Sequence, residues 1–560
     1  MRSRVFLAGL VGVLALAACG TEGGQLQAGK GGASTGSGGS ASSSGGAVAS
    51  GGVTGSGGAS SFGGTIGQGG TSVTAATGGS LGSGGAISTG GATGRGGATG
   101  SGGSPATGGA VVSSGGATSA GGSNGNTGGT KTNTGGTPGT GGSATAVDAG
   151  AYVGNKTPGT AQTGDITVNP ATTYQTMDGF GIADVWIPQS THTPALRTLF
   201  WDPVNGIGMT LLRVGIEGKN GKPEIMGDAA FVDAPDVVKY GGKVWAAPWS
   251  PPASMKDNNN VNNGGHLNTA SYDAWATVLA AFPAYFKQNA GVDLWGISAQ
   301  NEPDFVASYE SCIYDKTQMN NFIKVLGPKL QALSPPVKLI AAEPDVWGNT
   351  WSGDNYGTAI VGDSTVSSLT EIIATHDYGS NNSSYTRPSP PAGVKQHIWE
   401  TEIYYTSGAG IGPAIDTARG IYSGVTAGGA NGWHYWWTTH FMDGGTASNP
   451  PKRVYTMGNY SKFVRPGYVR VGISGVPSSA HMVPFVSPTD GTVAIVALNE
   501  GSSAVNVSFF VSGAGWPSTV TPYVTSASSN LAAGTAITVA AGRFSGSLEA
   551  QSVTTFVGKP

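Results

Sequence analysis

The sequence predicts an α/β fold: a (β/α)8 TIM barrel with an attached β-sandwich side domain, preceded by a disordered Gly/Ser/Thr-rich linker. Three observations predict it. Eight short apolar runs alternate with segments of helical period over roughly 280 residues, close to the ~250 typical of such barrels. After residue 460 the helical period stops, and β-rich runs separated by Gly, Ser and Asn take over. Between Gly20 and Gly150, 49 of the 97 glycines accompany a single aromatic residue, Phe62, and five charges. A stretch so poor in apolar bulk cannot offset the entropy of ordering its backbone.

From the N-terminus, Arg2 and Arg4 precede an apolar run from Val5 to Ala18 that is too short to span a bilayer as a mature helix. The run ends Leu16-Ala17-Ala18-Cys19, which resembles the lipobox of bacterial lipoprotein signal peptides. That resemblance implies a signal over 1–19, with acylated Cys19 as the mature N-terminus. The expected location is then the cell surface or outer membrane, or release outside the cell. An ordinary secretory signal is the alternative, and both export the chain. The linker expected over 20–160 has a span of roughly 60–70 Å if fully flexible. Cys312 has no partner and reads as an inert buried thiol, so the fold relies on its core alone.

The barrel is expected over 175–460. Its strand candidates are Gly179–Val185, Leu211–Ile216, Val244–Pro248, Leu294–Gln300, Val337–Ala342, Ile372–His376, His397–Ile403 and Gly432–Thr438. Helical periodicity is clearest at Tyr272–Gln288, Thr317–Leu333 and Ala414–Val425. A doubly wound sheet would alternate in the same way, but no Gly-x-Gly-x-x-Gly follows the first strand. The side domain is expected over 461–560, with strands at Val493–Leu498, Val505–Val511, Val520–Val524, Ala536–Val539 and Val553–Val557. Residues 165–174 are strand-like as well and are expected to close it from the N-terminal side.

Composition excludes several classes. A net charge of −3 and pI near 6.2 leave no basic footprint for nucleic acid. Two cysteines cannot build a disulfide framework. No His/Cys/Asp run has metal-ligand spacing, no cofactor motif is present, and no Gly-x-Ser-x-Gly elbow marks a serine hydrolase.

What remains is carboxylate chemistry. Barrel enzymes carry their reactive residues at the C-terminal ends of strands. Strand four runs out as Ser298-Ala299-Gln300-Asn301-Glu302-Pro303, and strand seven as Trp399-Glu400-Thr401-Glu402-Ile403. Hydrolysing a glycosidic bond takes two carboxyls flanking it, one to protonate the leaving oxygen and one to attack or to activate water. Glu302 and Glu402 are the candidates, although most glutamates are simply surface carboxylates. Glu400 competes with Glu402, because strand alternation puts both on one face. Glu400 would sit a layer deeper and need a cationic partner, for which Arg213 at the end of strand two is available. Glu402 is favoured because it is nearer the open end.

Further residues suit a sugar site. Indoles at strand ends, namely Trp249, Trp347 and the Trp436-Trp437 pair, can stack on the C–H faces of sugars, although core packing explains some of them equally well. His376 follows strand six and either bonds the sugar or nucleophile or is a satisfied core histidine. Asn301, beside the acid, is placed to hold a sugar 2-hydroxyl.

These segments resemble glycoside hydrolase family 30, and within it the bacterial endo-xylanase subfamily 8. The matching runs are Gln175–Gly181, Ala247–Pro252, Ile297–Asp304 and Trp399–Tyr405. Most distinctive is the eleven-residue junction Tyr460-Ser461-Lys462-Phe463-Val464-Arg465-Pro466-Gly467-Tyr468-Val469-Arg470, and Gln551–Phe556 matches too. The resemblance covers about residues 165–560. It implies a retaining double displacement on β-1,4-xylan, with Glu302 as acid/base and Glu402 as nucleophile. The implied partner is xylan or a related plant cell-wall polysaccharide, with membrane contact through the lipid anchor only and no nucleic acid.

One departure bears on specificity. Glucuronoxylan-specific members carry an arginine shortly after the strand-eight tryptophans, where a guanidinium grips the uronic acid. Here Thr438-Thr439-His440-Phe441-Met442-Asp443 follows, and the next arginine is Arg453. His440 is a poor substitute, being mostly neutral near pH 7. Tyr404 and Tyr405 match the family's tyrosine pair and are expected to line that subsite, with Trp249, Arg213, His376 and Trp437 as further substrate contacts. The expectation is xylan cleavage without strict glucuronic acid dependence. A β-1,6-glucanase or galactanase of the same family, or a surface glycan-binding lipoprotein without catalysis, are the alternatives.

Overall fold

The computed structural model describes residues 159–560 except 381, 382 and 514. The signal segment with Cys19, and all but the last two residues of the expected linker, lie outside the described residues. Among the described residues, no helix is long and apolar enough to cross a membrane.

Eight parallel strands form the barrel: Gly179–Ala183, Leu211–Glu217, Lys243–Pro248, Gly296–Ser298, Lys338–Ala342, Thr370–His376, His397–Glu402 and Gly432–Tyr435. They are numbered one to eight below. Gly181 pairs with Leu211 and Gly179 with Gly432, which closes the ring. Every expected strand is present. Strands four and eight are shorter than their apolar runs, because the chain leaves the ladder early to turn across the barrel mouth. Trp437, for example, has φ 57°, which an extended strand cannot accommodate.

The helices obey local rules. Asp315 caps Lys316–Gln331 in a capping box with Gln318. Gly291, at φ 75°, ends Tyr272–Ala290 in the left-handed conformation that glycine adopts without steric cost. The third expected helix extends over Ile411–Thr426. Inside the barrel, Trp245, Trp399 and His434 fill the floor: the indoles lie 5.9 Å apart, and Trp245 Nε1 donates to His434 Nε2 at 3.1 Å. Between strands and helices lies a larger apolar layer that includes Phe180, Leu212, Trp275, Phe322 and Trp433. Trp347, expected at the site, belongs to this layer and donates its indole N–H to the Pro388 carbonyl.

The side domain is one continuous ten-stranded sheet that curls on itself. Ile166–Thr176 pairs with both Val469–Ser474 and Val505–Val511, in the middle of that sheet. Phe556 lies near one end of the strand order and Phe509 and Phe544 near the other. Their rings nevertheless meet at 5.2 and 5.7 Å, so the two halves face each other across a shared core as sandwich layers do. Four side-domain strands were not expected from the sequence: Val469–Ser474, His481–Val486, Arg543–Leu548 and the two-residue Ala532–Ala533. The second contains Pro484, which weakens a strand signal.

Candidate active site

The eight strand ends converge on a cluster of charged side chains that the fold withdraws from water. Arg213, third in strand two, is fully buried. Its guanidinium faces three partners: Glu402 Oε2 at 2.5 Å, Asn301 Oδ1 at 2.5 Å and Glu343 Oε1 at 3.0 Å. Trp249, Trp245 and Trp436 surround it, with ring centroids 4.8, 5.4 and 5.7 Å from the guanidinium carbon. Burial works against the charge, but Glu343 and Glu402 outweigh it and hold the guanidinium above its ordinary value.

The carboxyls of Glu302 and Glu402 meet here. One oxygen of each lies within 4.8 Å of the other and of a His376 ring nitrogen. Glu402 accepts from Arg213 and, at 2.8 Å, from the Tyr378 hydroxyl. Burial pushes this carboxyl above the ordinary range, while His376 and Arg213 pull it back. Glu302 takes its contact from His376 Nδ1 at 3.1 Å, and the Tyr309 hydroxyl lies 3.5 Å from its other oxygen. His376 is completely buried, and its ring nitrogens face the glutamates. Burial lowers its basicity, but Glu402, Glu302 and Glu343 more than compensate and lift it to about 10.

Glu400 does not pair with Arg213, contrary to the expected partnership. Arg213 reaches past it to Glu402 because the guanidinium sits at the mouth end of the layer, and Glu400 instead accepts the backbone N–H groups of Glu402 at 3.0 Å and His434 at 3.2 Å. Burial and the nearby Asp377 push its carboxyl well above the ordinary range. The buried cluster contains a glutamate not foreseen from sequence, Glu343. Burial opposes its ionised form, yet Arg213 and His376 bring it down to about 2. The signal was present: Ala341-Ala342-Glu343-Pro344 ends strand five with the same Glu-Pro step that ends strand four.

The aromatic wall also differs from expectation. Trp249 is 2% exposed and serves Arg213, so it cannot present a face to substrate. The exposed indole is Trp186, 39% open, whose ring leans on Trp249, Trp436 and the exposed Tyr309. Trp437 is half-buried, stacks on Trp436 and donates its N–H to the Val185 carbonyl. Tyr404 is exposed and packs on His440 with centroids 4.7 Å apart; His440 in turn meets Trp437 at 5.2 Å. Burial lowers the basicity of His440, which makes a cationic grip weaker still. Tyr405 lines no cleft. It is buried, and its hydroxyl lies against Gly420 of the outer helix. Arg453 is occupied as well: it is buried and donates to Tyr435 Oη and to the carbonyls of His440, Thr406 and Gly408.

Among the described residues, two sets of side chains come within reach of a common ion, which no linear spacing reveals: Glu302, His376 and Glu402, and a second set of Asp184, His192 and Asp233. In the first, the Arg213 cation already stands against the carboxylate that an ion would neutralise. In the second, Asp233 accepts from His192 and from Trp201 Nε1, and Asp184 accepts from the Thr438 hydroxyl at 2.5 Å.

A closed barrel with two carboxyls this close at its C-terminal mouth defines a glycoside hydrolase. Residues 232–388 match the glycosyl hydrolase family 30 TIM-barrel domain. Over 409 residues the chain is 32% identical to the glucuronoxylanase XynC of Bacillus subtilis (strain 168), covering 70% of this chain and 91% of that protein. It is also similar to the crystal structure of the family 30 subfamily 8 xylanase Xyn30A from Clostridium acetobutylicum, with 33% identity and a TM-score of 0.63 over 71% of this chain and 100% of that one. A family 30 endoxylanase from Clostridium papyrosolvens C71 matches at 30% identity and a TM-score of 0.59, with the same two coverages. The chain belongs to glycosyl hydrolase family 30.

Proposed function

We propose that the protein is a retaining endo-β-1,4-xylanase acting by double displacement, without strict dependence on glucuronic acid. The observation that carries the mechanism is the proximity of the Glu302 and Glu402 carboxyls. Retaining enzymes hold them about 5–5.5 Å apart, whereas inverting ones leave about 6.5–9.5 Å for a water. Glu402 attacks the anomeric carbon as Glu302 gives its proton to the departing glycosidic oxygen. Glu302, now a carboxylate, takes a proton from water, the water oxygen bonds to the anomeric carbon, and Glu402 is released. Arg213 and Tyr378 aim the nucleophile, and Asn301, fixed through Arg213, is beside the 2-hydroxyl. Xylan as substrate is supported by the names of the similar enzymes. Relaxed specificity is supported by the cleft wall after strand eight, where His440 stands and Arg453 is bound elsewhere.

We extend the proposal to location: Leu16-Ala17-Ala18-Cys19 supports export and a lipid anchor at Cys19. Labelling with a palmitate analogue, lost in Cys19→Ser, is the expected result.

The deciding experiment is product analysis with glucuronoxylan, arabinoxylan and linear xylo-oligosaccharides. Oligosaccharides from unsubstituted chains are expected. Cleavage confined to glucuronoxylan would refute the relaxed specificity, and inertness toward all three would refute xylan and move the search to β-1,6-glucan or galactan. Glu402→Gln separates enzyme from binding protein: turnover should fall by about 10³-fold or more while glycan affinity persists.

A further inference from the structure

Glu343 has no step in the double displacement, yet it occupies the centre of the buried cluster. It is fully buried at the end of strand five, with φ 58°. A carboxylate withdrawn from water persists only where cations meet it. Two do. Arg213 Nη2 lies 3.0 Å from Glu343 Oε1, and His376 Nε2 lies 3.6 Å from the same atom. The contacts are electrostatic, since neither oxygen takes an aligned hydrogen bond. Both cations also face the catalytic carboxyls: Arg213 Nη1 meets Glu402 at 2.5 Å, His376 Nδ1 meets Glu302 at 3.1 Å, and His376 Nε2 lies 3.9 Å from Glu402.

Two further carboxyls stand near these cations: Asp304, raised by burial and held by Asn349 and the Asp345 N–H, and Asp377, raised by burial and paired with Arg387. Strand four offers the Ser298 hydroxyl. Strand six adds the Tyr378 phenol, which stays neutral because burial and Glu402 raise it. Strand eight offers His434, which burial takes down to about 3 and which is therefore an uncharged ring. Deeper on strand seven, Glu400 is pushed toward its neutral form.

Arg213 and His376 are the two cations that face Glu402 and Glu302. Glu343 adds a third carboxylate that faces both cations at once. We propose that Glu343 is a positioning residue of the catalytic pair, a buried counter-anion that holds Arg213 and His376 cationic and set against Glu402 and Glu302. The inference rests on the assignment of Glu302 as general acid. Glu343 at about 2 and His376 at about 10 agree with this state.

The test has two parts. Ring-nitrogen NMR shifts of His376 in the whole protein without substrate should show an imidazolium through pH 8. In Glu343→Gln its titration should move down by about one unit or more, the size expected for loss of a neighbouring charge, and Glu343→Asp should restore it. In pH profiles on xylan, the basic limb of kcat/KM in Glu343→Gln should move to lower pH by about one unit as His376 loses its charge sooner, while KM at the optimum changes little. A neutral His376 at pH 7 in the native protein would overturn the proposal, as would a uniform fall in activity with both limbs unmoved. If Glu343→Gln does not fold, the native titration still decides. Failure to cleave xylan would refute the substrate assignment and leave the His376 measurement intact.

Discussion

Four residues at the barrel mouth hold backbone conformations that side chains other than glycine avoid: Trp186 at φ 57°, Glu302 at 44°, Glu343 at 58° and Trp437 at 57°. Each costs on the order of 1–3 kcal/mol, and packing must maintain it. The return is direction, because a chain leaving a strand in the left-handed region swings its side chain back across the mouth. Glu302 and Glu402 were legible because their strands were legible. Glu343, Tyr378 and Trp186 were not singled out, since a lone residue after a strand carries no label until its neighbours are known. Tyr378 yields a prediction at this scale. Its hydroxyl donates to Glu402 and favours the ionised nucleophile. Removing that donor in Tyr378→Phe raises the Glu402 pKa, so the acid limb of kcat/KM should move up by as much as about one pH unit, as a pH–rate profile will show. An acid limb that stays in place would sink this role.

At the scale of elements, packing decides what the sequence could only pair. Tyr404 and Tyr405 match one motif, but Tyr404 opens to the cleft, and Tyr405 packs against the outer helix. The same tight packing makes strand one intolerant. A Cβ on Gly181 would lie 2.0 Å from the Leu211 carbonyl oxygen, a backbone atom that cannot rotate away. Gly181→Ala should therefore lower stability by about 3 kcal/mol or more, the upper range for overpacking, measured by urea denaturation. A variant as stable as the native protein would show that strands one and two separate more easily than their ladder implies. The side-domain strands that went unforeseen share a cause: short, edge-broken or proline-bearing segments are stabilised by pairing partners far away in sequence.

For the whole molecule, the junction motif that carries the family resemblance is a joint and takes no part in the chemistry. Lys462 donates to the carbonyls of Val204 and Gly206, Arg465 to that of Gly208, and Arg470 to Gln175. One residue earlier, Asn459 reaches into the side sheet, donating to Tyr523 and Thr555 and accepting from Thr525. Stability should depend on pH at both ends. Asp178 is brought to about 2, where burial is outweighed by His397 and Lys243, and Glu343 lies at about 2 as well. Their contribution is complete above an unfolded value near 4 and is lost as pH falls toward 2. His192 is held at about 9 against burial by Asp184 and Asp233, and His376 at about 10. Their contribution is complete below an unfolded value near 6.5 and disappears as pH rises through 9 to 10. The buried carboxyls of Glu400 and Glu402, raised by burial, oppose ionisation and so lower stability as pH rises above about 4.5. Urea midpoints should thus be highest near about pH 4.5, fall below it, and fall again above it with a further loss from about 6.5 to 10. Midpoints that stay level from pH 6.5 to 10 would contradict the charged state of both histidines.

The sequence by itself determined the barrel, its eight strands, the β-rich companion and the two glutamates at strand ends. Each follows from local periodicity and from the rule that barrel chemistry sits where strands run out. Only the tertiary structure decided that Arg213 serves Glu402 and not Glu400, that Trp249 and Tyr405 are buried while Trp186 is open, and that Glu343 completes the charge cluster. The reason is physical: a charge pair among strands two, five, six and seven depends on distances and exposure set by closure of the ring, and neither quantity is a property of neighbouring residues in the chain.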